Sequence, residues 1–129
     1  MSTHADVGGS GETLAGAYLR QAKGYEIVAH NWRNPQDRRE EIDLIALDGD
    51  VLIFVEVKTR SGGARVPGFY AVNRAKRKVL RRAARTYLRL LPFRPHTYRL
   101  DVVEIELGSG DPEVRHYINV GLFPSKYGA

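Results

Sequence analysis

Three charged side chains with catalytic potential stand inside one apolar stretch of the sequence, residues 41–60. Asp43, Glu56 and Lys58 belong to two runs of branched apolar residues that flank the sequence Asp-Gly-Asp at residues 48–50. Gly and Asp between such runs are typical of a β-hairpin turn. The sequence therefore predicts two antiparallel strands, at about 42–47 and 51–59.

The turn decides which side chains meet. Side chains alternate between the faces of a strand, so Glu56 and Lys58 share a face. A turn with two central residues, either 48–49 or 49–50, places Asp43 on that face too. With residues 49–50 at the centre, Asp43 lies directly across from Glu56. A three-residue turn would move Asp43 to the opposite face.

Two neighbouring carboxylates and a lysine suit a divalent cation. Carboxylates a few ångströms apart repel each other, and the pKa of one of them rises. Mg²⁺ prefers one or two carboxylates together with water and phosphate oxygens. Asp43 and Glu56 would form such an open site, with Lys58 placed to contact the water or the phosphate. This layout is typical of metal-dependent phosphodiester hydrolysis, in which the metal lowers the pKa of water and screens charge on phosphorus.

An exposed strand with an ordinary polar face is the alternative. In that interpretation Glu56 and Lys58 are solvated, and Asp43 caps a turn. The apolar residues 53–55 together with Val57 instead indicate an interior strand, where a free charge is costly.

A family resemblance carries the interpretation further. The pattern Glu-x-Asp, short turn, apolar run, Glu-x-Lys resembles the PD-(D/E)XK nuclease motif. Residues from about 8 to 120 resemble the YraN-like family of uncharacterised, endonuclease-like proteins. The positions that carry this resemblance are Gly11-Glu12, Ala15, Tyr18-Leu19, Gly24-Tyr25, Asn31-x-Arg33, Glu41 to Ala46, Phe54 to Arg60, Ala71-Val72 and Lys76. The chain departs from the family at Glu40, where glycine is usual.

The resemblance implies a restriction-endonuclease-like fold, shared with archaeal Holliday junction resolvases, and a Mg²⁺ or Mn²⁺ cofactor. It implies that Asp43 and Glu56 hold the metal, with the Val57 carbonyl as a further ligand. Lys58 would orient or activate water. Glu12 would support the metal or its water, although a carboxylate in a first helical turn also stabilises the helix dipole.

The length and composition limit the number of domains, the partners and the compartment that can be expected. The chain has 129 residues and a net charge of +5, with a sequence pI near 9.7. This length suits one domain, which we expect over 11–122 between flexible tails at 1–10 and 123–129. A basic surplus favours polyanionic partners. The absence of cysteine excludes disulfides and thiolate metal sites. Neither a signal peptide nor a bilayer-spanning run is evident, so we expect a cytoplasmic protein without a membrane partner.

Helical spacing predicts two helices. The first spans about 11–23, with Ser10 as N-cap and Gly24 as its stop. The second spans about 71–91 and has a basic face without acidic residues. We expect that face to bind the phosphate backbone of DNA, with a membrane surface as the rival partner. Lys76, near the helix start, is a candidate contact to the scissile phosphate. The basic face of the helix extends to Arg89. The expected nucleic-acid contacts are Arg60 and Arg65, which flank a glycine-rich loop, and Arg74, Lys76, Arg77, Lys78, Arg81, Arg82 and Arg85 on the helix.

Three further strands complete the predicted fold, at about 25–32, 98–107 and 114–120. A polar connection is expected over 34–40. For Asp101, a solvated carboxylate or an ion pair with arginine is favoured over a second metal site. The element order predicts an α/β protein with a restriction-endonuclease-like αβββαβ core, in which helices flank a mixed central sheet.

The function expected from these features is metal-dependent endonucleolytic hydrolysis of DNA, with branched or structured DNA as a candidate substrate. Two alternatives remain open: a nucleic-acid-binding module without catalysis, and an adaptor whose basic residues meet an acidic protein. A homodimer would suit the cutting of duplexes or junctions, although no residue pattern decides the oligomeric state.

Overall fold

Two helices and five strands make up the computed structural model of the protein, which describes residues 4–61 and 74–122 and, within these, the side chains from residue 11 onward. The elements are α1 (His4–Gln21), β1 (Glu26–Asn34), β2 (Asp37–Asp48), β3 (Val51–Ser61), α2 (Arg74–Leu90), β4 (Thr97–Leu107) and β5 (Glu113–Tyr117).

The strands form one mixed sheet in the order β1-β2-β3-β4-β5. Only the β3–β4 pair is parallel, because α2 carries the chain back between these strands. The apolar residues of α2, such as Leu80 and Leu88, pack with Phe54 on one face. Ala15 and Leu19 of α1 pack with Val55 on the other. The predicted αβββαβ core, with a mixed sheet between helices, is therefore confirmed.

The central hairpin has the tighter of the predicted geometries. Asp48 pairs with Val51, so Gly49 and Asp50 form a two-residue turn. Gly49 has φ +61°, as the first central position of a type II′ turn requires. The pairing continues to Leu44 and Val55. Asp43 and Glu56 are the next residues on the two strands, at the point where regular pairing ends.

Two predicted boundaries are wrong. The first helix begins at His4, so Ser10 lies inside it and is not its N-cap. The expected polar connection at 34–40 is mostly strand, since Asn34 already pairs with Asp37 and only residues 35–36 form the turn. The predicted stop is confirmed: Gly24 has φ +71°, and its N–H donates to the Arg20 carbonyl. The other predicted strands agree to within a few residues. Residues 71–73 of the predicted second helix lie outside the described residues, as do residues 1–3 of the tail predicted over 1–10 and all of the tail predicted over 123–129.

A buried polar network joins β4 to β5. Asp101 is 0 % exposed, and its carboxylate accepts hydrogen bonds from Arg99 Nε (2.9 Å) and the Asn119 N–H (2.9 Å). The Nε2 of His116 lies 2.8 Å from the same carboxylate. Arg99 also donates to the Tyr25 hydroxyl at 3.0 Å, which ties the network to the start of β1. The prediction that Asp101 pairs with arginine is confirmed.

The helix α1 approaches β3 closely at Gly11. A Cβ at Gly11 would lie 1.9 Å from Oγ1 of Thr59 and 3.2 Å from its Cβ, so a side chain there forces a shift. At Gly16, on the same helix, a Cβ would meet no atom closer than 3.8 Å. Close packing therefore requires glycine at residue 11 and not at residue 16.

We expect Gly11→Ala to lower the free energy of unfolding by about 1–3 kcal/mol, because the helix or Thr59 must move. Gly16→Ala is the matched control and should stabilise the protein by up to about 1 kcal/mol, since alanine is the better helix former. Urea titration of both variants measures the difference. Equal midpoints for the two variants would contradict the close contact at Gly11.

Within the described ranges, neither helix has the length and apolar character needed to cross a membrane.

Candidate active site

The site begins where the β2–β3 hairpin opens. Beyond the last regular pair, the N–H of Val57 donates to Oδ2 of Asp43 at 2.8 Å. A side chain of β2 thus accepts a hydrogen bond from the backbone of β3, and this bond fixes the Asp43 carboxylate beside Glu56. The structure therefore brings together the two acids that the sequence predicted to be neighbours.

Glu56 is a buried carboxylate held by two lysines. It is only 3 % exposed. Its Oε1 lies 3.4 Å from Nζ of Lys58, two residues along the same strand, and 3.5 Å from Nζ of Lys76 on α2. Both lysines keep part of their side chain in solvent. Both ammonium groups are therefore held next to the buried Glu56 carboxylate while their side chains remain partly exposed to solvent.

Two further acids lie close to Asp43. Carboxylate oxygens of Glu12, Glu41 and Asp43 all lie within 4.8 Å of one another. Glu12 comes from α1 and directly follows the tightly packed Gly11. Glu56 is outside this closest group, but it acts electrostatically on both Asp43 and Glu12. Glu12 therefore lies close enough to Asp43 for the role predicted for it. Glu41 is a further acid of this cluster, and the sequence did not lead us to assign it to the site.

Asn31 and Arg33 of β1 contact the acids Glu12 and Glu41. Asn31 adopts a left-handed conformation, φ +49°, which asparagine tolerates better than most residues. Its side chain hydrogen-bonds to Glu12. Arg33 forms an ion pair with Glu41. The Asn31-x-Arg33 pattern was part of the family resemblance but had no assigned role, and the structure shows that it orients the carboxylates around Asp43.

Burial and mutual repulsion raise the pKa values of two of these acids. Burial, and then the charge of Glu56, raise the pKa of Asp43 to about 8, although the hydrogen bond from Val57 opposes the shift. Burial also raises the pKa of Glu12, and the charge of Glu41 adds to that rise. The cation-free site consequently holds a proton at neutral pH that an unfolded chain would release.

The pH dependence of stability follows from the raised pKa of Asp43. Between an unfolded pKa of about 3.9 and the folded value, the folded state binds the extra proton, so stability falls as pH rises through that window. We expect Asp43→Asn to remove this loss and, above pH 8, to be more stable than the wild type by roughly 1–3 kcal/mol in EDTA. Urea titrations at a series of pH values from about 4 to above 8 measure it. A wild type that stays as stable as the variant above pH 8 would contradict the raised pKa.

The basic face of α2 starts at this site and leads away from it. The exposed members of the face in the described part of the chain are Arg74, Lys78, Arg82, Arg85 and Arg89. Arg81 is half-buried and donates to the Leu122 carbonyl at 3.2 Å, and Arg77 is also half-buried. These two are therefore less available to a ligand than the sequence indicated. Arg65, with its glycine-rich loop, lies outside the described residues.

β4 adds carboxylates beside the predicted basic residues of β3. In the parallel pairing, Lys58 is aligned with Glu104 and Arg60 with Glu106. Glu104 is 1 % exposed and accepts from Arg115 at 3.2 Å. Glu40, the residue at which the chain departs from the family, accepts a hydrogen bond from Asn34 and does not join the acid cluster. The departure therefore leaves the site itself intact.

The element order and sheet define a protein of the α/β class with a restriction-endonuclease-like core. The model of the uncharacterised protein family UPF0102 matches residues 11–105, and the chain belongs to that family.

Relatives cover most of the chain. The UPF0102 protein of Symbiobacterium thermophilum is 49% identical over 102 residues, which are 79% of this chain and 83% of the relative. The UPF0102 protein of an Arthrobacter species is 42% identical over 116 residues, 89% of this chain and 95% of the relative. That of Chlorobium limicola is 39% identical over 119 residues, 88% and 89% of the two chains. The YraN-like resemblance at the level of this family is thus confirmed.

Proposed function

We propose that the protein is a Mg²⁺- or Mn²⁺-dependent endonuclease of the PD-(D/E)XK kind, which hydrolyses DNA phosphodiester bonds, with branched or structured DNA as a candidate substrate. One observation carries this proposal: Asp43 and Glu56 lie together at the open end of a hairpin, and Lys58 contacts Glu56 there. The same three residue types in this order form the motif of such nucleases.

The acids fit a hard divalent cation. Mg²⁺ and Mn²⁺ prefer oxygen ligands, and the carboxylate oxygens of Glu12, Glu41 and Asp43 already lie within 4.8 Å of one another. Asp43 and Glu56 would hold the cation, with Glu12 and the Val57 carbonyl as further candidates. A bound cation supplies two things to hydrolysis, a more acidic water and a counter-charge for the phosphate.

The lysines have the location needed to act on a phosphate. Lys58 Nζ is anchored 3.4 Å from Glu56 while 28% of its side chain is exposed, so its charge can face a bound phosphate without losing its position. There it would orient the attacking water and stabilise negative charge that develops on phosphorus. Lys76, at the same carboxylate, would contact the scissile phosphate from α2.

The exposed arginines of α2 would hold the rest of the substrate. A helix face of one sign lacks the favourable i, i+4 pairs of a mixed surface, and an anionic partner compensates for that loss. Contacts of this kind go to phosphates, so they fix the position of the duplex without reading its sequence.

A non-catalytic nucleic-acid-binding module is the second candidate, and one observation favours it. Lys58 and Lys76 already compensate the charge of Glu56, so this acid is satisfied without any cation. In such a module Lys58 would serve the fold alone, and the basic face of α2 would be the functional surface.

A cleavage panel separates the candidates. Labelled duplex, single-stranded, flap and four-way-junction DNA would be incubated with wild type and Asp43→Asn, in Mg²⁺, in Mn²⁺ and in EDTA. Cleavage that requires the metal and Asp43 supports the nuclease and ranks the substrates. Salt-sensitive binding without cleavage under any condition supports the binding module. Absence of both binding and cleavage contradicts both candidates and leaves an adaptor for an acidic protein.

A further inference from the structure

The corner between α2 and β4 contains a cavity of about 610 Å³, lined by Arg85, Leu88, Arg89, Arg94 and Tyr98. Pockets that bind small molecules commonly have volumes of this order, so one nucleotide unit fits it. Among the described residues that line it, three are arginines and none is acidic. This composition favours an anionic ligand.

The corner also presents apolar and aromatic surface. Leu88 is buried and Tyr98 is half-buried, whereas the three arginines are exposed. Phe93 and Leu90, on the same corner, are 69% and 61% exposed. The exposed ring of Phe93 is unfavourably hydrated, and a planar partner that covers it removes this apolar surface from water. The face of a nucleic-acid base is such a partner, and stacking on it does not depend on sequence.

The helix dipole argues against an anion here, but weakly. A helix C-terminus carries about half a negative charge, and Arg89 in the last turn partly serves to offset it. Three guanidinium groups exceed that half charge several-fold. Glu40 lies with Arg85 and Arg89 at the neighbouring pocket, where Arg82 adds a further positive charge. The charged side chains around the corner are therefore mostly basic.

The corner is separate from the acid cluster. Lys76 contacts Glu56, and Arg89 follows thirteen residues later on the same helix, which at 1.5 Å per residue is roughly 20 Å away. That span corresponds to about six base pairs of duplex DNA. A substrate that crosses the acid cluster and follows the basic face of α2 would reach this corner.

We propose that this corner binds an unpaired segment of the nucleic acid, with phosphates on Arg89 and Arg94 and bases stacked on Phe93 and Tyr98. In a duplex the base faces are covered by their neighbours, so aromatic contacts of this kind select single-stranded DNA. The inference rests on the proposed function and narrows its substrate to DNA with a single-stranded segment, such as a flap or an open junction.

Binding in EDTA tests the inference apart from catalysis. Fluorescence anisotropy would compare a short labelled oligothymidylate with a duplex of equal length, for wild type, Phe93→Ala and the double variant Arg89→Ala/Arg94→Ala. Arg20→Ala/Lys23→Ala removes two exposed charges at the far end of α1 and is the matched control for charge. Val28→Ala removes exposed apolar surface from β1 and is the control for Phe93.

We expect Phe93→Ala to weaken single-strand binding about tenfold or more and duplex binding by less than about twofold. The arginine variant should lower the salt slope of single-strand binding by about 1.4, which is the contribution of two phosphate contacts. Both control variants should bind as the wild type does.

Several results would overturn the inference. They are unchanged single-strand binding in Phe93→Ala, equal losses in the corner and control variants, no binding of the oligothymidylate by the wild type, or displacement by polyglutamate that is as strong as displacement by DNA. The last result indicates an acidic protein partner. If the protein never cleaves DNA but the corner variants lose single-strand binding, the nuclease proposal fails and this inference stands. If the protein cleaves DNA but the corner variants bind single-stranded DNA as the wild type does, this inference fails and the nuclease proposal stands.

Discussion

Replacing Lys58 by methionine is expected to lower the rate of DNA cleavage by about 10²- to 10³-fold while nucleic-acid binding persists. Removal of one preorganised charge that stabilises a transition state typically costs this much. Methionine keeps the length of the apolar stem. Glu56 retains a cationic partner, because Lys76 lies 3.5 Å from the same oxygen, so the buried acid is not left unpaired.

Single-turnover cleavage and anisotropy on the same substrate measure the two effects separately. Lys23→Met is the control, an exposed lysine beyond α1, and its cleavage rate should equal that of the wild type. A Lys58→Met variant that cleaves at the wild-type rate would remove Lys58 from the reaction. A variant whose DNA binding falls as much as its cleavage would indicate that Lys58 serves only as a contact to the substrate.

Asp101→Ala is expected to have the largest effect on stability, a loss of about 3–5 kcal/mol in the free energy of unfolding. The change takes a fully buried carboxylate away from the half-buried Arg99 guanidinium and deprives His116 and the Asn119 N–H of an acceptor. Since a domain is stable by only about 5–15 kcal/mol, much of the native stability would be lost. Asp111→Ala, at an exposed position, is the control and should change stability by less than about 0.5 kcal/mol.

Urea titration of Asp101→Ala measures the loss as a lower midpoint at an unchanged slope. A midpoint within error of the Asp111→Ala value would contradict the role given to the network.

Lowering the pH provides a second measurement of the same stabilisation. Burial raises the pKa of Asp101, but hydrogen bonds from His116, Arg99 and Asn119 outweigh it and leave the pKa below its usual range. The stabilisation is thus complete above an unfolded pKa of about 3.9 and is lost as pH falls further.

The centre of the site could be predicted because it depends on local sequence. Alternation along a strand and a two-residue turn at residues 49–50 are enough to place Asp43 across from Glu56. The sequence left two-residue and three-residue turns open, and the structure shows the turn that makes the two acids neighbours. The same alternation contained a signal for Glu41, which stands two residues before Asp43 on the same strand.

The rest of the site depends on contacts between distant elements. The position of Glu104 beside Lys58 results from parallel pairing of β3 with β4 across an intervening helix, and no local pattern gives that register. The role of Asn31 depends on its left-handed backbone in β1 and on the approach of α1.

The start of α1 was missed for a related reason. Glycines at positions 8 and 9 are poor helix formers, and the segment 1–10 was predicted to be a tail. Residues 4–10 are instead helical. At Gly11, near the predicted start, the lack of a side chain permits contact with Thr59. Its function there is close packing, which composition alone could not distinguish from flexibility.

The claim on which the proposed mechanism depends is that Asp43 and Glu56 take up a divalent cation. Crystals of the wild type and of Asp43→Asn, both soaked in Mn²⁺, would test it by anomalous diffraction. We expect one strong peak in the wild type, bounded by Asp43 and Glu56 with Glu12 nearby, and no peak there in the variant. An empty site in the wild type, with Glu56 still held by Lys58 and Lys76, would contradict the metal site and favour the binding module.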